Sequence, residues 1–576
     1  MTIGEQYMNT KQLLRRVKVQ ATGVARLLYE MKTQGFISLE GGAKALATFP
    51  IISLRYKNST ARAVEHARNI VPDRTALIDD EGELTYSELR EYAKNLARHN
   101  TLLNLNKIHM GVIARNSRNI LVPMASKGYA GGNTYLLNIY SSPQQIASII
   151  KENYINILVV DEEFLDNAEQ ALKVIPESKR PHIIVGHLES DAPITKYPTI
   201  TSIGKSRTLK NTVQLPLFPK HGENVIMSSG TTGTPKGIAR DEPTIPAALG
   251  AVIRGCNWKK DMKVQITASL FHSWGWSAMS IALIGRNTLV LRRKYDPYVA
   301  LEDIQKYKLD GFVSSPIFYK DMVKVDPNGK LYDTSSLKFI ASSGHSISKE
   351  LYDKTTRRFG NILASIYGST ELSLAAVASP EDLARDVTCA GKVAFGTELI
   401  IADKDGNELP QGSTGEIYIY NTMVLKRFTN PETPIKRIGK LVSIGDIGYV
   451  DDNGYLYVLG RADDMIIVGG ENVHPQSVIE TLESMPGVQE VFATGVPDEE
   501  SFSRIATWIV PKKDRYGVQL TKQKVQKYVR DNLAEHSVPR DVHFIEGFIR
   551  TPTGKVIPRE LGNCKELNPE DILVKS

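Results

Sequence analysis

The chain has 576 residues, 41% of them hydrophobic, and 71 Lys+Arg against 64 Asp+Glu give a formal net charge of +7. That length suits three or four domain-sized units, no run reaches the roughly 18 apolar residues of a membrane span, and so mild a basic excess makes no case for nucleic acid. The three cysteines, Cys256, Cys389 and Cys564, share no CxxC spacing, which excludes a disulfide framework or cysteine-built zinc site and fits a reducing, cytoplasmic home.

Residues 1–55 read as a basic amphipathic helical extension. Wound at about 100° per residue, Leu13, Leu14, Val17, Ala21, Val24, Ala25 and Leu28 share one side, with Lys11, Arg15, Arg16, Lys18 and Arg26 on the other. Such a helix either makes a peripheral membrane contact through residues 11–32 or packs on the main body with its charges solvated. From about residue 60 to 400, short apolar runs such as Met110–Ile113, Ile157–Val160, His182–Val185, Val225–Met227 and Ile362–Ile366 alternate with helical patterns. Alternation of this kind predicts layered α/β structure with largely parallel sheets. After Leu399 the texture changes to hairpins, with turn signals at Asp405-Gly406 and Asn453-Gly454, the second joining Ile447–Val450 to Tyr455–Leu459. Beyond Gly460-Arg461-Ala462-Asp463-Asp464 a smaller unit begins, with helices near Pro475–Met485 and Lys522–Glu535. The expected fold is α/β: a large multi-subdomain layered domain over 56–459 and a small mobile α+β domain over 460–576.

Residues 225–237 run from an apolar strand into Ser228-Ser229-Gly230-Thr231-Thr232-Gly233-Thr234-Pro235-Lys236-Gly237. Glycines let main-chain N–H groups approach an anion, hydroxyls add donors, and Lys236 adds a point charge. The loop differs from that of P-loop NTPases, because Pro235 precedes the lysine and Gly237 follows it.

This loop resembles the signature of the adenylate-forming superfamily, which contains acyl-CoA synthetases, firefly luciferases and peptide-synthetase adenylation domains. Further segments carry the resemblance in family order: Leu270-Phe271-His272 with Gly275, Tyr367-Gly368-Ser369-Thr370-Glu371, Gly412-Ser413-Thr414-Gly415-Glu416, Gly445-Asp446, Gly460 to Asp464, and Thr551-Pro552-Thr553-Gly554-Lys555. Asp463-Asp464-Met465-Ile466 with Gly469-Gly470-Glu471-Asn472-Val473 looks most like fatty-acyl-CoA synthetases.

The resemblance implies activation of a fatty acid by ATP to acyl-AMP with pyrophosphate release, then transfer to the thiol of coenzyme A. It implies Lys555 and His272 as catalytic, and Ser229, Gly230, Thr231, Thr232, Gly233, Lys236, Gly344, Tyr367, Gly368, Thr370, Asp446 and Arg461 as nucleotide-binding. Glu371 would hold Mg²⁺, since a hard cation prefers a carboxylate plus substrate phosphates. Tyr367 would stack on adenine, Asp446 would take the ribose hydroxyls, and Asp463 would be the hinge about which the small domain rotates between steps. Trp274 and Trp276 either shape an acyl tunnel or are core aromatics, and His345 reads as a structural hydrogen-bonder. Ser443-Ile444 before Gly445, Ile467, Ile549 and Pro475-Gln476-Ser477-Val478-Ile479 depart from the family's usual residues and bear on CoA recognition. The competing readings are an acyl-AMP ligase that loads a separate carrier protein and a non-catalytic membrane-associated acyl or nucleotide binder. The sequence leaves chain length and oligomeric state open.

Overall fold

The computed structural model describes residues 10–38, 40–188, 196–228, 236–240, 245–462, 466–468, 471–473, 475–498, 502–512, 520–533, 537–551 and 555–567. Continuous apolar runs need cover on both faces, and parallel strands with helices packed above and below supply it. One sheet runs Arg427–Phe428, Lys236–Arg240, His221–Ser228, Gly132–Leu136, His109–Ile113, Ile157–Val160, His182–Val185. Its last five strands are parallel neighbours, and Ile157–Val160 is buried along its whole length.

A second, longer sheet has a parallel centre of Lys263–Ile266, Gly311–Ser314, Phe339–Ser343 and Leu363–Ser369. It then turns antiparallel through Ser373–Ala378, Cys389–Val393, Tyr455–Arg461 and Asp446–Val450. The Asn453-Gly454 turn forms as its sequence demands: the Asp451 carboxylate accepts from the N–H groups of Asn453 and Tyr455, and Gly454 sits at φ 78°. The C-terminal unit is α+β. Strands Val488–Asp498, Phe502–Pro511 and Asp541–Phe544 form its sheet, and helices Pro475–Glu483 and Lys522–Asn532 bury Val478, Leu482, Val525 and Val529 in its own core. Among the described residues no helix is long and apolar enough to cross a membrane.

The N-terminal helix α1 (Thr10–Thr33) forms where its periodicity places it, but it packs by the side opposite to the one its apolar residues suggest. Arg16, Gly23, Leu27 and Glu30 are buried, while Leu13, Leu14, Val17 and Leu28 are 47%, 63%, 58% and 49% exposed. The reason lies in the partner surface. Gly23 lies so close to Gly396 that a Cβ would overlap its backbone, and one turn on Leu27 approaches Gly250, so the helix axis comes close on that side. Arg16 Nε then reaches Glu398 at 2.7 Å, Arg15 pairs with Glu408 at 2.8 Å, and Gln20 donates to the Gly396 carbonyl at 2.5 Å. Two of the charges expected in solvent, Arg15 and Arg16, therefore seat the helix, while Lys18 and Arg26 stay exposed. Helix α2 (Gly42–Tyr56) follows, burying Ile52 and Tyr56 against α3 (Thr60–Ile70) and its neighbours while Leu46, Ile51 and Leu54 stay exposed.

Removing one partner of a buried ion pair strands the other charge, at a cost of about 3–5 kcal/mol. Arg16→Ala is expected to release α1 selectively. Hydrogen exchange over 10–33 should accelerate by two or more orders of magnitude while the parallel strands keep their protection.

Candidate active site

The C-terminal ends of two adjacent parallel strands, Phe339–Ser343 and Leu363–Ser369, form the floor of the site, where open α/β sheets commonly receive ligands. Ser343 Oγ donates to the Ile366 carbonyl at 2.8 Å, which locks the two strand ends together. The chain leaves the first strand through Gly344 at φ 101°, a conformation that L side chains rarely adopt, and His345 follows on the cleft surface. It leaves the second through Tyr367, Gly368 and a tight turn to Ser373–Ala378. Ser369 Oγ accepts from the N–H groups of Glu371 and Leu372 at 3.2 and 3.0 Å, so Thr370 and Glu371 stand at the tip.

Tyr367 and Asp446 come together although 79 positions separate them: the phenol donates to a carboxylate oxygen of Asp446. Burial first, and the Asp446 charge second, hold the Tyr367 pKa well above its usual range, so the phenol stays protonated and a donor. Arg461 lies directly across from Asp446 in the antiparallel pair Asp446–Val450/Tyr455–Arg461. The strands on either side of the glycine- and hydroxyl-rich loop also pair, with Ser228 opposite Lys236. Ser229, Gly230, Thr231, Thr232 and Gly233, like Asp463, lie outside the described residues.

His272 caps the start of helix Ser273–Ile284, and its ring rests on Phe271 with centroids 4.5 Å apart. Its Nε2 is buried and has no hydrogen-bond partner among the described residues. Burial, with the Lys555 charge adding to it, lowers the His272 pKa to about 4. His345 is lowered to about 4 by its protein surroundings first, then by Lys555 and Arg550, although the side chain keeps an open face to the cleft. Both imidazoles are thus neutral near pH 7, and both feel the same lysine. Lys555 closes a turn in which Thr551 N–H donates to the Lys555 carbonyl at 2.7 Å and Lys555 N–H to Thr551 Oγ1 at 3.0 Å.

Ion pairs bring that turn to the large domain. Glu490 of the small unit accepts Lys320 of the large body at 2.6 Å and its own unit's Arg550 at 2.5 Å. Lys512 reaches Glu350 at 2.9 Å, and Gln476 donates to Ser346 at 3.4 Å. Sequence patterns gave no sign of this latch, because a lone Glu or Lys on a helix or strand is normally a solvated charge.

Two clefts are lined by sequence neighbours of His272, Trp276 in the first and Phe271 in the second. Helix Ser273–Ile284 lines the first, with Trp276, Ser280 and Leu283 facing Leu249, Met423 and Arg240. Trp276 therefore faces a cleft, whereas Trp274 packs on the core and donates to the Ser314 carbonyl at 3.1 Å. Arg240 is buried, its guanidinium donates to the Thr370 carbonyl, and burial lowers its pKa to about 10 while the nearby Glu371 charge opposes that fall. The second cleft, behind Phe271, carries Arg115, Arg292, Arg293 and Lys294. Arg292 and Arg293 are compensated by Asp303 and Glu163, and Lys294 is exposed. The Arg292-Arg293-Lys294 run was the available sequence signal for it. Among the described residues no three His, Cys, Asp or Glu side chains converge as a metal cage, so a cation here would rest on Glu371 and on the ligand's own oxygens.

The model of the AMP-binding enzyme family matches residues 64–428, and that of the AMP-binding enzyme C-terminal domain matches 480–555. A 2-succinylbenzoate–CoA ligase of Geobacillus sp. is 26% identical over 509 residues, covering 87% of this chain and 96% of that protein. An indoleacetate–CoA ligase of Aromatoleum aromaticum is 31% identical over 336 residues, covering 58% of this chain and 65% of that protein. Among solved structures, the amide bond synthetase McbA of Marinactinospora thermotolerans superposes with TM-score 0.76 at 23% identity, covering 87% of this chain and 99% of that one.

Glu483 makes the docking of the small unit depend on pH. Burial first, then Glu480 and the nearby Glu350 and Glu490, raise its pKa from 4.5 to about 7 against the opposing charge of Lys320. The docked arrangement therefore binds a proton that an exposed carboxyl would release. The Glu483 contribution to docking is fully present below pH 4.5, weakens as pH rises to about 7, and levels off above it, whereas the Glu490 and Glu350 ion pairs, whose carboxyls are held below their usual range, are lost only in acid. Energy transfer between dyes on the two domains should report this slope, and Glu483→Gln should flatten it.

Proposed function

The chain belongs to the AMP-binding enzyme family, and on that premise we propose that it is an AMP-forming acid–thiol ligase that activates a fatty acid and passes the acyl group to coenzyme A. The observation that supports this reading is that the Lys555 charge reaches both His272 and His345, and that His345 follows the end of the strand Phe339–Ser343, beside the strand that bears Tyr367. A carboxylate and an α-phosphate repel each other, and a lysine brought between them on a separate small domain relieves that repulsion only when the domain is docked.

In the first step a carboxylate oxygen attacks the α-phosphorus of ATP, a P–O bond forms, and pyrophosphate leaves with the electrons of the broken bond. Lys555 screens the developing charge, and Lys236 with the hydroxyls of Ser229, Thr231 and Thr232 holds the departing phosphates. Asp446 receives the ribose hydroxyls, with one oxygen already engaged by Tyr367, and Arg461 flanks it. A Mg²⁺ ion suits a site with a single carboxylate, because it keeps several waters and takes phosphate oxygens; Glu371 would hold it, and it would neutralise phosphate charge. His272 is a poor base with a pKa of about 4, so its neutral ring serves better as a hydrogen-bond partner of the acid's carboxyl group through Nε2.

In the second step the CoA thiol attacks the acyl carbonyl, a C–S bond forms, the acyl C–O bond to the phosphate breaks, and AMP leaves with its electrons while the thiol proton passes to solvent. The basic cleft behind Phe271 is where the polyanionic acceptor enters, and rotation about Asp463 clears Lys555 from the path. The apolar wall of the first cleft suits a hydrocarbon tail. A second reading, an aryl acid as substrate, draws support from the acids named for the similar ligases.

Pyrophosphate exchange across a panel of fatty and aryl acids tests the acid, and thioester formation on adding CoA tests the acceptor. Exchange without thioester would favour a carrier-protein acceptor; no exchange with any acid would leave a binder. Lys555→Ala should lower exchange by about 10²–10³-fold yet leave thioester formation from supplied acyl-AMP largely intact. Lys294→Ala should raise the KM for CoA several-fold with exchange unchanged.

A further inference from the structure

Helices α1 and α2 present an apolar surface that the body does not use. Leu13, Leu14, Val17 and Leu28 on α1, and Ile51 and Leu54 on α2, are between 47% and 71% exposed. Isolated exposed leucines are ordinary, but a row of this kind on one helix marks an interaction surface. The row stays outward because the helix spends its other side on the Glu398, Glu408 and Gly396 contacts.

Charge identifies the occupant. Residues 10–57 contain nine Lys and Arg against two Glu, as large an excess as the net charge of the whole chain. One of those glutamates, Glu30, is buried, and the other, Glu40, is paired with Lys260. Arg15, Lys18, Arg26 and Lys32 are exposed along α1 itself. Two copies of this face would set cations against cations. An anionic lipid surface supplies both complements at once, acyl chains for the leucines and head-group phosphates for the cations.

The cleft lies beside this surface. Asn58 to Thr60, at the end of α2, line it on one side, and Leu249 lines it on the other, on the helix Leu249–Gly255 against which Leu27 of α1 packs. Ile245, next to the cleft-lining Pro246, is also exposed.

We propose that α1 and α2 dock this protein on an anionic bilayer surface with the cleft opening at the contact, so that a membrane-partitioned acid enters without crossing water. The entry half of this inference rests on the reading of that cleft as the acid site; the docking half stands without it.

The test uses the full chain and two vesicle types, pure phosphatidylcholine and phosphatidylcholine with phosphatidylglycerol. Wild type should sediment with the anionic vesicles and release as salt rises, since head-group attraction is screened. The triple variant Leu14→Asp, Val17→Asp, Leu28→Asp, all at exposed positions, should lose at least about tenfold in partitioning. Its rate with a short water-soluble acid should match wild type, which shows that it is folded, while its rate with a long-chain acid carried in anionic vesicles should fall. Absence of wild-type binding to anionic vesicles at low salt would overturn the proposal, and so would binding that the triple variant retains. A wild-type dimer in light scattering that the variant dissolves would overturn it too, assigning the face to self-association. Failure of pyrophosphate exchange with every acid, with vesicle binding intact, would overturn the ligase reading and leave docking standing.

Discussion

A single carboxylate ties the small unit to the large body. Glu490 lies between Lys320 of the large body and Arg550, five positions before Lys555. Because Lys555 closes a short turn held on Thr551, its position follows from that of Arg550, and hence from the Glu490 contact. The pair is half-buried, so it is less screened than a surface bridge and yet costs less desolvation than a core one. Behind it, burial first and repulsion from Glu480 second raise the Glu483 pKa to about 7.

The rest of the site is built around neutrality. A lysine facing a charged histidine would be repelled, and burial prevents this at His272 by keeping its ring uncharged. The buried phenol of Tyr367 meets the Asp446 carboxylate as a protonated donor. Before nucleotide arrives, then, Lys555 is the principal charge directed at His272 and His345, and the phosphates bring the matching negative charge with them.

Part of this was legible in the sequence because the motifs are local. The glycines, hydroxyls and lysine of residues 228–237 stand within ten positions of one another and need no tertiary information to be noticed, and the strand expected at Ile362–Ile366 forms over Leu363–Ser369. The hairpin that carries Asp446 and Arg461 was readable from its Asn453-Gly454 turn signal, but their exact pairing was not, because a bulge between Ile447 and Gly448 shifts the register by one residue to put Arg461 opposite Asp446. Non-local features escaped. Arg240 carries no motif, and its burial beside Thr370 depends on a sheet edge more than a hundred positions away. The orientation of α1 escaped for the same reason. A helical wheel finds the apolar side, but the docking side was decided by Glu398, 382 positions distant, and by the backbone of Gly396. Periodicity states which faces differ; it does not state which one the rest of the protein will claim.

The charge carried by the first two helices has a consequence apart from any lipid. Residues from 58 onward contain nearly equal numbers of acidic and basic groups. Like-charge repulsion between molecules, which keeps proteins dispersed, is therefore supplied almost wholly by a segment outside both matched family regions. A shortened chain could keep its catalytic apparatus and become colloidally fragile near neutral pH, self-associating as its charge approaches zero. The N-terminal helices are in that sense the solubilising element of the molecule, although they are also the place where it is most apolar to the outside.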